Sequence, residues 1–390
     1  PIFLRLMETD PANPLRNIRV LMPGFESTCT SDPFHPDFLK RWRGVACIRF
    51  MDWMETNNSD VRHWSQRPQL ADATWSTKGI ALETMIYLCN RLNTDAWFCL
   101  PHACDDEYAR QFAQTIKTKL DRKLHVYVEL SNEVWNGQFE QHRYAVEQAK
   151  KLGLGPPERP WEGAAQWYVR RSIAIFDIFN EVFGEQPKQR SGRLVRVLAW
   201  QAADPWWSEH IILPCEANGR PAHEQVDALA IAPYISMILS PKSDPSSDTV
   251  AQWAVDQVMD YVEQTALPRS EQWIRAQAQI AEHFGVALIA YEAGQHLVGS
   301  AGGENNEQLT DVLHAANRHP RMGRVYDRYF EIWTEAGGGL LCHFSSVGVW
   351  SKWGSWGLLQ YADDDPRDYP RYQSTQRWRE KLLHRSGPGH

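Results

Sequence analysis

Eight short apolar runs separated by helix-length segments constrain this chain more than any other feature. The runs are Arg19–Met22, Val45–Phe50, Ala96–Leu100, Val126–Leu130, Leu194–Ala199, Ala228–Ala232, Val286–Ala290 and Gly339–Phe344. Their cores are rich in Val, Ile and Leu and are bounded by Gly, Pro, Asp or Asn, as buried parallel strands are. Between them lie candidate helices, clearest at Lys78–Leu92, Asp105–Leu120, Ala164–Phe183, Val250–Gln264, Glu271–Phe284 and Arg324–Glu335. Strands alternating with helices predict an α/β fold with a parallel sheet, either open or closed. An open nucleotide-binding sheet carries a glycine-rich turn after its first strand, and Pro23-Gly24-Phe25-Glu26 lacks that fingerprint. The expectation is therefore a single (β/α)8 barrel, a TIM barrel, with extended βα loops. Residues 17–385 form it, with residues 52–76 as an inserted loop. Residues 1–16 read as a lead-in, where Ile2-Phe3-Leu4-Arg5-Leu6 has the content of a strand belonging to a module upstream, and residues 386–390 read as a tail.

Composition removes several function classes. The 390 residues carry 41 Lys+Arg against 48 Asp+Glu, a net charge of −7, which is not the basic footprint of a nucleic-acid binder. The mean hydropathy of −0.50 and the absence of a long uncharged apolar run argue against a spanning helix, so no membrane partner is expected. The 7 cysteines show neither a disulfide framework nor a zinc-cage spacing, and the cluster Cys99, His102 and Cys104 sits on one short turn, so no metal is expected. Tryptophan is the unusual entry into this tally, with 18 residues beside 13 Tyr and 14 Phe. Flat aromatic faces suit sugar rings, although Trp also fills large cores.

In a barrel the C-terminal strand ends carry the site. The second run ends in Arg49, Asp52 and Trp53, the third in His102, the fourth in Ser131-Asn132-Glu133-Val134-Trp135 and the fifth in Trp200. The sixth leads to Tyr234, the seventh to Tyr291-Glu292, and the eighth runs on to Trp350, Trp353 and Trp356. Glu133 and Glu292 stand out among the carboxylates on this rim. Glycoside hydrolysis uses such a pair, about 5–5.5 Å apart for retention and about 6.5–9.5 Å for inversion. Plain structural readings stand beside these: Glu133 as a helix cap, Arg49 as a partner of Asp52 or Glu55, His102 as a turn residue, Tyr234 as packing.

The pairing of Ser131-Asn132-Glu133 with Tyr291-Glu292 resembles glycoside hydrolase clan A, the retaining (β/α)8 enzymes. The resemblance implies Glu133 as acid/base and Glu292 as nucleophile. It also implies that Arg49, His102 and Tyr234 orient the nucleophile and the sugar, and that Asn132 holds the 2-hydroxyl. No specific family is implied, and no cofactor is required. The expected function is retaining hydrolysis of β-glycosidic bonds in a polysaccharide, endo-acting on a β-glucan-like glycan. The alternative is a carbohydrate-binding barrel that has lost hydrolysis. A polymeric substrate further implies a secreted or periplasmic enzyme.

Two finer expectations concern the core and the aromatics. Glu129 shares strand parity with Glu133 and is expected to point into the barrel, paired with Arg196 on the next strand. Trp53, Trp64, Trp75, Trp135, Trp206, Trp207, Trp350, Trp353 and Trp356 fall near one rim, and the Trp350–Trp356 segment is the strongest candidate for a subsite wall. Such a cleft suits a neutral or cationic polymer better than a uronic one.

Overall fold

The computed structural model describes residues 4–189 and 192–385. The expected tail, and Ile2 and Phe3 of the expected upstream strand, lie outside the described residues. The chain forms two compact units, Pro1–Gly44 and Val45–His390.

In the first unit, Pro36–Trp42 is a helix whose N-terminus is capped by His35, which accepts from the Asp37 N–H. The run Arg19–Met22, expected as the first barrel strand, is not a strand: Val20 is 71% and Met22 60% exposed. Apolar residues become a strand only when a neighbour satisfies their backbone donors and acceptors, and among the described residues of this unit no ladder does.

The second unit is built on a six-stranded parallel sheet: β1 Cys47–Arg49, β2 Asp95–Leu100, β3 Val126–Leu130, β4 Leu194–Ala199, β7 Ala228–Ile231 and β9 Ala287–Ala290, in that order. The register runs Cys99↔Glu129, Val128↔Arg196, Val197↔Ala228 and Leu229↔Leu288. Residues 339–344 extend the sheet beyond β9 without forming a ladder, through an Ala290↔Leu341 bridge and the Cys342 N–H on the Ala290 carbonyl. A small hairpin, β5 Glu216–Ala217 with β6 Arg220–Pro221, lies outside this sheet.

Strand parity sets the inner face. Met51, Trp97, Cys99, Val197, Ala199, Ala228, Ala230, Ile289 and Tyr291 form one apolar cluster, joined by Cys47, Tyr127, Cys342 and Phe344. Residues two apart on successive strands meet there because side chains alternate across the sheet. The opposite parity packs on helices, among them Leu82–Leu92, Asp106–Lys119, Pro160–Phe183, Leu267–Phe284 and Pro320–Glu335. Helices not expected from the sequence include Glu140–Lys151, Glu307–Arg318 and Pro370–Arg385. The first and last of these are strongly polar, which hides their apolar stripe.

Beyond the C-terminal ends of β7 and β9 the chain forms a second parallel pair, β8 Ile235–Leu239 with β10 Gln295–Gly299. The two strands of each line are separated by the turns that carry Tyr234 and Glu292. Gly294 makes that turn possible: its φ is +127°, and an added Cβ would stand 2.8 Å from the His343 ring and 3.0 Å from the Tyr326 hydroxyl.

Candidate active site

The site begins at the end of β3. Ser131 and Glu133 both adopt positive φ, +61° and +43°, conformations that side chains other than Gly take at a cost of about 1–3 kcal/mol. The surroundings hold the turn in place. The Ser131 N–H donates to the Leu100 carbonyl at 2.7 Å, and the buried Gln141 amide donates to the Asn132 carbonyl at 2.8 Å. The Asn136 N–H closes the turn on the Glu133 carbonyl at 2.8 Å. Glu133 caps no helix, because the next helix starts at Glu140. Its carboxylate instead accepts from Asn136 Nδ2 at 3.0 Å and from the Tyr291 hydroxyl at 3.2 Å.

Glu292 follows β9 and accepts from Arg49 Nη1 at 3.0 Å and from the Tyr234 hydroxyl at 2.8 Å. Tyr234 is delivered by a short turn whose Pro233 carbonyl accepts from Ser270 and Tyr329 hydroxyls at 2.6 and 3.0 Å. Arg49, at the end of β1, is the hub. Its Nη2 donates to Asn132 Oδ1 at 2.9 Å, and Asn132 in turn donates to Asn57, so the amide is oriented from both sides. Arg49 does not pair with Asp52 or Glu55; Asp52 sits at the exposed rim and adds negative charge to the field at Glu292.

The expected Glu129–Arg196 pair is not formed. Glu129 does point into the sheet's inner face, but it accepts Nε and Nη2 of Arg49 at 3.0 Å each, with Trp97 Nε1 at 2.8 Å and the Cys99 thiol at 3.3 Å. Arg196 pairs in register with Val128, one residue out of parity with Glu129, and so faces the helices. There it binds Asp227 at 2.8 Å and Asn180 at 2.6 Å.

Burial sets the electrostatics. It pushes Glu292 up to about 7 against the pull of Arg49, with Glu133 adding to the rise. Burial raises Glu133 as well, against the donors Asn136 and Tyr291. Of the two, Glu292 takes a charged donor, whereas the donors bonded to Glu133 are neutral, an asymmetry that favours the negative charge on Glu292.

The other expected positions divide. His102 is buried edge-on against Tyr144, with ring centroids 5.0 Å apart and Nδ1 without a hydrogen-bond partner among the described residues. Burial and Arg62 lower it to about 4, so it is a neutral imidazole near pH 7. Trp53 lies 5.7 Å from Phe50, and Trp135, half-buried, has an indole N–H without a partner among the described residues. Trp200 is buried between Tyr168 and Trp207 and presents no platform. Trp350, expected as part of a subsite wall, is buried too: it bonds the Gly357 carbonyl, packs with Leu359 and Tyr369, and lies under Arg318 and Arg371. Trp64 packs against Tyr108, and Trp75 closes its own loop on the Gln69 carbonyl. Trp353 is 61% exposed. Trp356 connects toward the carboxylates, 5.7 Å from His296, which is 5.5 Å from Tyr234.

Asn136, Asn57 and Gln141 escaped the sequence reading of the site, and Tyr291 entered it only as part of the Tyr291-Glu292 motif, with no role of its own. Tyr291 alone had a signal, its parity with Ile289 on a strand facing the interior. Among the described residues no cluster of three or more His, Cys, Asp and Glu is placed to hold a metal ion, and no helix is long and apolar enough to cross a membrane.

No family model matches this chain, and no curated sequence matches it. Its fold does match solved structures. A 4-O-α-L-rhamnosyl-β-D-glucuronidase from Fusarium oxysporum 12S superposes with a TM-score of 0.52 at 11% identity, over 91% of this chain. The chain spans 66% of that enzyme's length, just under two thirds. An endo-β-1,4-mannanase from Thermotoga petrophila (TM-score 0.41, 10% identity, 91% and 74% of the two chains) is a weaker match. So is a glycoside hydrolase family 5 mannosidase from Rhizomucor miehei (0.36, 11%, 89% and 87%). The first likeness establishes a shared α/β fold with a curled parallel sheet.

Proposed function

We propose that the protein is a retaining glycoside hydrolase acting on β-linked glycans, with Glu133 as acid/base and Glu292 as nucleophile. The observation that carries this reading is the pair itself. Two carboxylates from different strand ends, Glu292 buried and Glu133 half-buried, flank Arg49: Glu292 is tied to its guanidinium, and Glu133 to neutral donors, one of them Tyr291, whose ring centroid lies 5.0 Å from the same guanidinium. In the first step Glu133 gives its proton to the leaving oxygen while Glu292 attacks the anomeric carbon, forming a glycosyl–enzyme ester. In the second, Glu133 takes a proton from water, whose oxygen displaces Glu292. Tyr234 and Arg49 hold the Glu292 oxygens, and Asn132, oriented from both sides, is positioned for a sugar hydroxyl.

The same reading takes the curled sheet as part of a (β/α)8 barrel, supported by Cys47 on the first strand and Cys342 on the last segment packing against one inner core. It places the enzyme outside the cytoplasm, where a polymer can reach it. An exposed Trp353 and a Trp356 near the carboxylates favour several sugar-binding positions over one.

The test is reducing-sugar release from a panel of β-glucans, β-mannans, xylans and uronate-capped glycans by wild type and by Glu292→Gln. Release by wild type that disappears in the variant supports the reading and names the substrate. Activity surviving in the variant refutes the nucleophile. Tight binding with no release by either protein supports the carbohydrate-binding barrel instead.

A further inference from the structure

Glu129 is a buried carboxylate that the two-carboxylate reaction does not use. It lies on β3 four residues before Glu133, is 1% exposed, and has every oxygen engaged. The allocation of donors is uneven. Arg49 gives Glu129 two N–H groups from Nε and Nη2, the fork geometry that fixes a guanidinium plane, and gives Glu292 a single one from Nη1. One cation thus faces two carboxylates, and the better-bound one is remote from the rim.

We propose that Glu129 is a positioning residue that grips Arg49 from beneath, fixing the aim of its guanidinium at Glu292 and Asn132 and limiting how much of its charge reaches Glu292. The grip is directional because Trp97 and Cys99 on β2 pin the Glu129 oxygen that receives Arg49 Nε. The limit is electrostatic: an Arg–Glu pair is neutral overall, so Glu292 sees a guanidinium half-cancelled at close range.

The other groups around this network do not titrate with it. Burial pushes the Cys99 thiol and the Tyr234 and Tyr291 hydroxyls well above their ordinary values, so all stay neutral. Burial also keeps His296, beside Tyr234, neutral by lowering it to about 4. The titratable and charged groups facing Glu292 are then Arg49 from β1, Glu129 from β3 through Arg49, Glu133 after β3, and Asp52 at the rim. Burial outweighs the pull of Arg49 and holds the Glu292 carboxyl up at about 7.

The experiment compares wild type, Glu129→Gln and Glu129→Asp. In Glu129→Gln the carbonyl keeps the three donors that met one Glu oxygen, the amide N–H2 faces Arg49 Nη2 donor to donor so that the fork is lost, and the charge is gone, so the uncancelled Arg49 field acts on Glu292. The acid limb of kcat/KM on an aryl β-glycoside then moves to lower pH by about one unit or more. Glu129→Asp retains the charge but withdraws it from the fork, so kcat falls at least tenfold while KM changes little. The inference rests on the glycosidase reading only for these rates. The protonated-carboxyl infrared band of 13C-glutamate-labelled protein, assigned by its loss in Glu292→Gln, gives the same midpoint without turnover, and it too moves to lower pH in Glu129→Gln. A protein that cleaves no glycoside but shows the infrared shift refutes the hydrolase reading and keeps this inference. A folded Glu129→Gln with an unmoved limb and band, or a folded Glu129→Asp with wild-type kcat, overturns it. If Glu129→Gln does not fold, the Glu129→Asp result decides alone.

Discussion

Replacing Arg49 by Met removes the cation that Glu129 and Glu292 share. The Arg49 side chain is 5% exposed and donates four hydrogen bonds to three acceptors, so the two carboxylates are left buried without a counter-charge. Stripping one partner from a buried pair costs about 3–5 kcal/mol, a large share of the 5–15 kcal/mol that holds a typical domain together. The loss depends on pH in a definite direction. Burial raises both carboxyls even with Arg49 present, Glu292 to about 7, and the substitution drives them higher. Groups whose folded values lie above the unfolded one stabilise the fold while protonated and cease to as pH rises through the folded value. The penalty is therefore smallest at low pH, where the raised carboxyls hold their protons and the main loss is of hydrogen bonds worth about 1 kcal/mol each. It grows by about 1.4 kcal/mol for each unit of additional pKa rise as the pH climbs past 7. Urea unfolding followed by tryptophan fluorescence at pH 4.5, 6 and 8 measures it. Adding Glu129→Gln to the variant returns part of the loss at pH 8. A destabilisation equal at all three pH values, or below about 1 kcal/mol at pH 8, refutes the argument that the carboxylates depend on this cation.

Three further outcomes are expected. Glu292→Gln stabilises the fold at pH 8 by up to about 3 kcal/mol, the equivalent of a rise from 4.5 to about 7, and the gain vanishes near pH 4.5; urea midpoints at the two pH values check it. Trp350→Ala lowers stability by about 3–5 kcal/mol through the cavity it leaves, whereas Trp356→Ala weakens oligosaccharide binding with a smaller loss; calorimetric Tm and affinity electrophoresis separate the two. In a double-mutant cycle of Glu129→Gln and Arg196→Met, the stability changes add within about 0.5 kcal/mol, because the two residues lie on opposite faces of the sheet; a coupling energy above about 1 kcal/mol would restore the pair expected from sequence.

The strands of the six-stranded sheet were legible because a buried parallel strand writes itself as a short apolar run between turn residues, whereas the pair β8 and β10 was not expected. Six of the eight runs became ladder strands with bounds within two residues of expectation, Val45–Phe50 contracting to β1. Arg19–Met22 shows the limit of this signal, since composition cannot supply the neighbouring strand that a ladder needs. The Glu129–Arg196 error has the same origin. Parity within one strand is readable, but the register between strands is set by how the sheet curls and packs, and a one-residue difference sends Arg196 to the helices. Trp350 and Trp356, six residues apart on one loop, were indistinguishable in sequence and ended in different environments.

The sequence by itself determined the alternation of strands and helices, the delivery of Arg49, Glu133, Tyr234 and Glu292 to strand ends, and the chemistry those groups carry. Only the tertiary structure decided that Arg49 is divided between Glu129 and Glu292, that Tyr291 and Asn136 hold Glu133, and which tryptophans reach the site. Local order follows from periodicities within a few residues of chain. The partners of a buried charge are chosen across strands far apart in sequence, where the cost of leaving it unpaired can be met only by whichever groups the fold brings within hydrogen-bond distance.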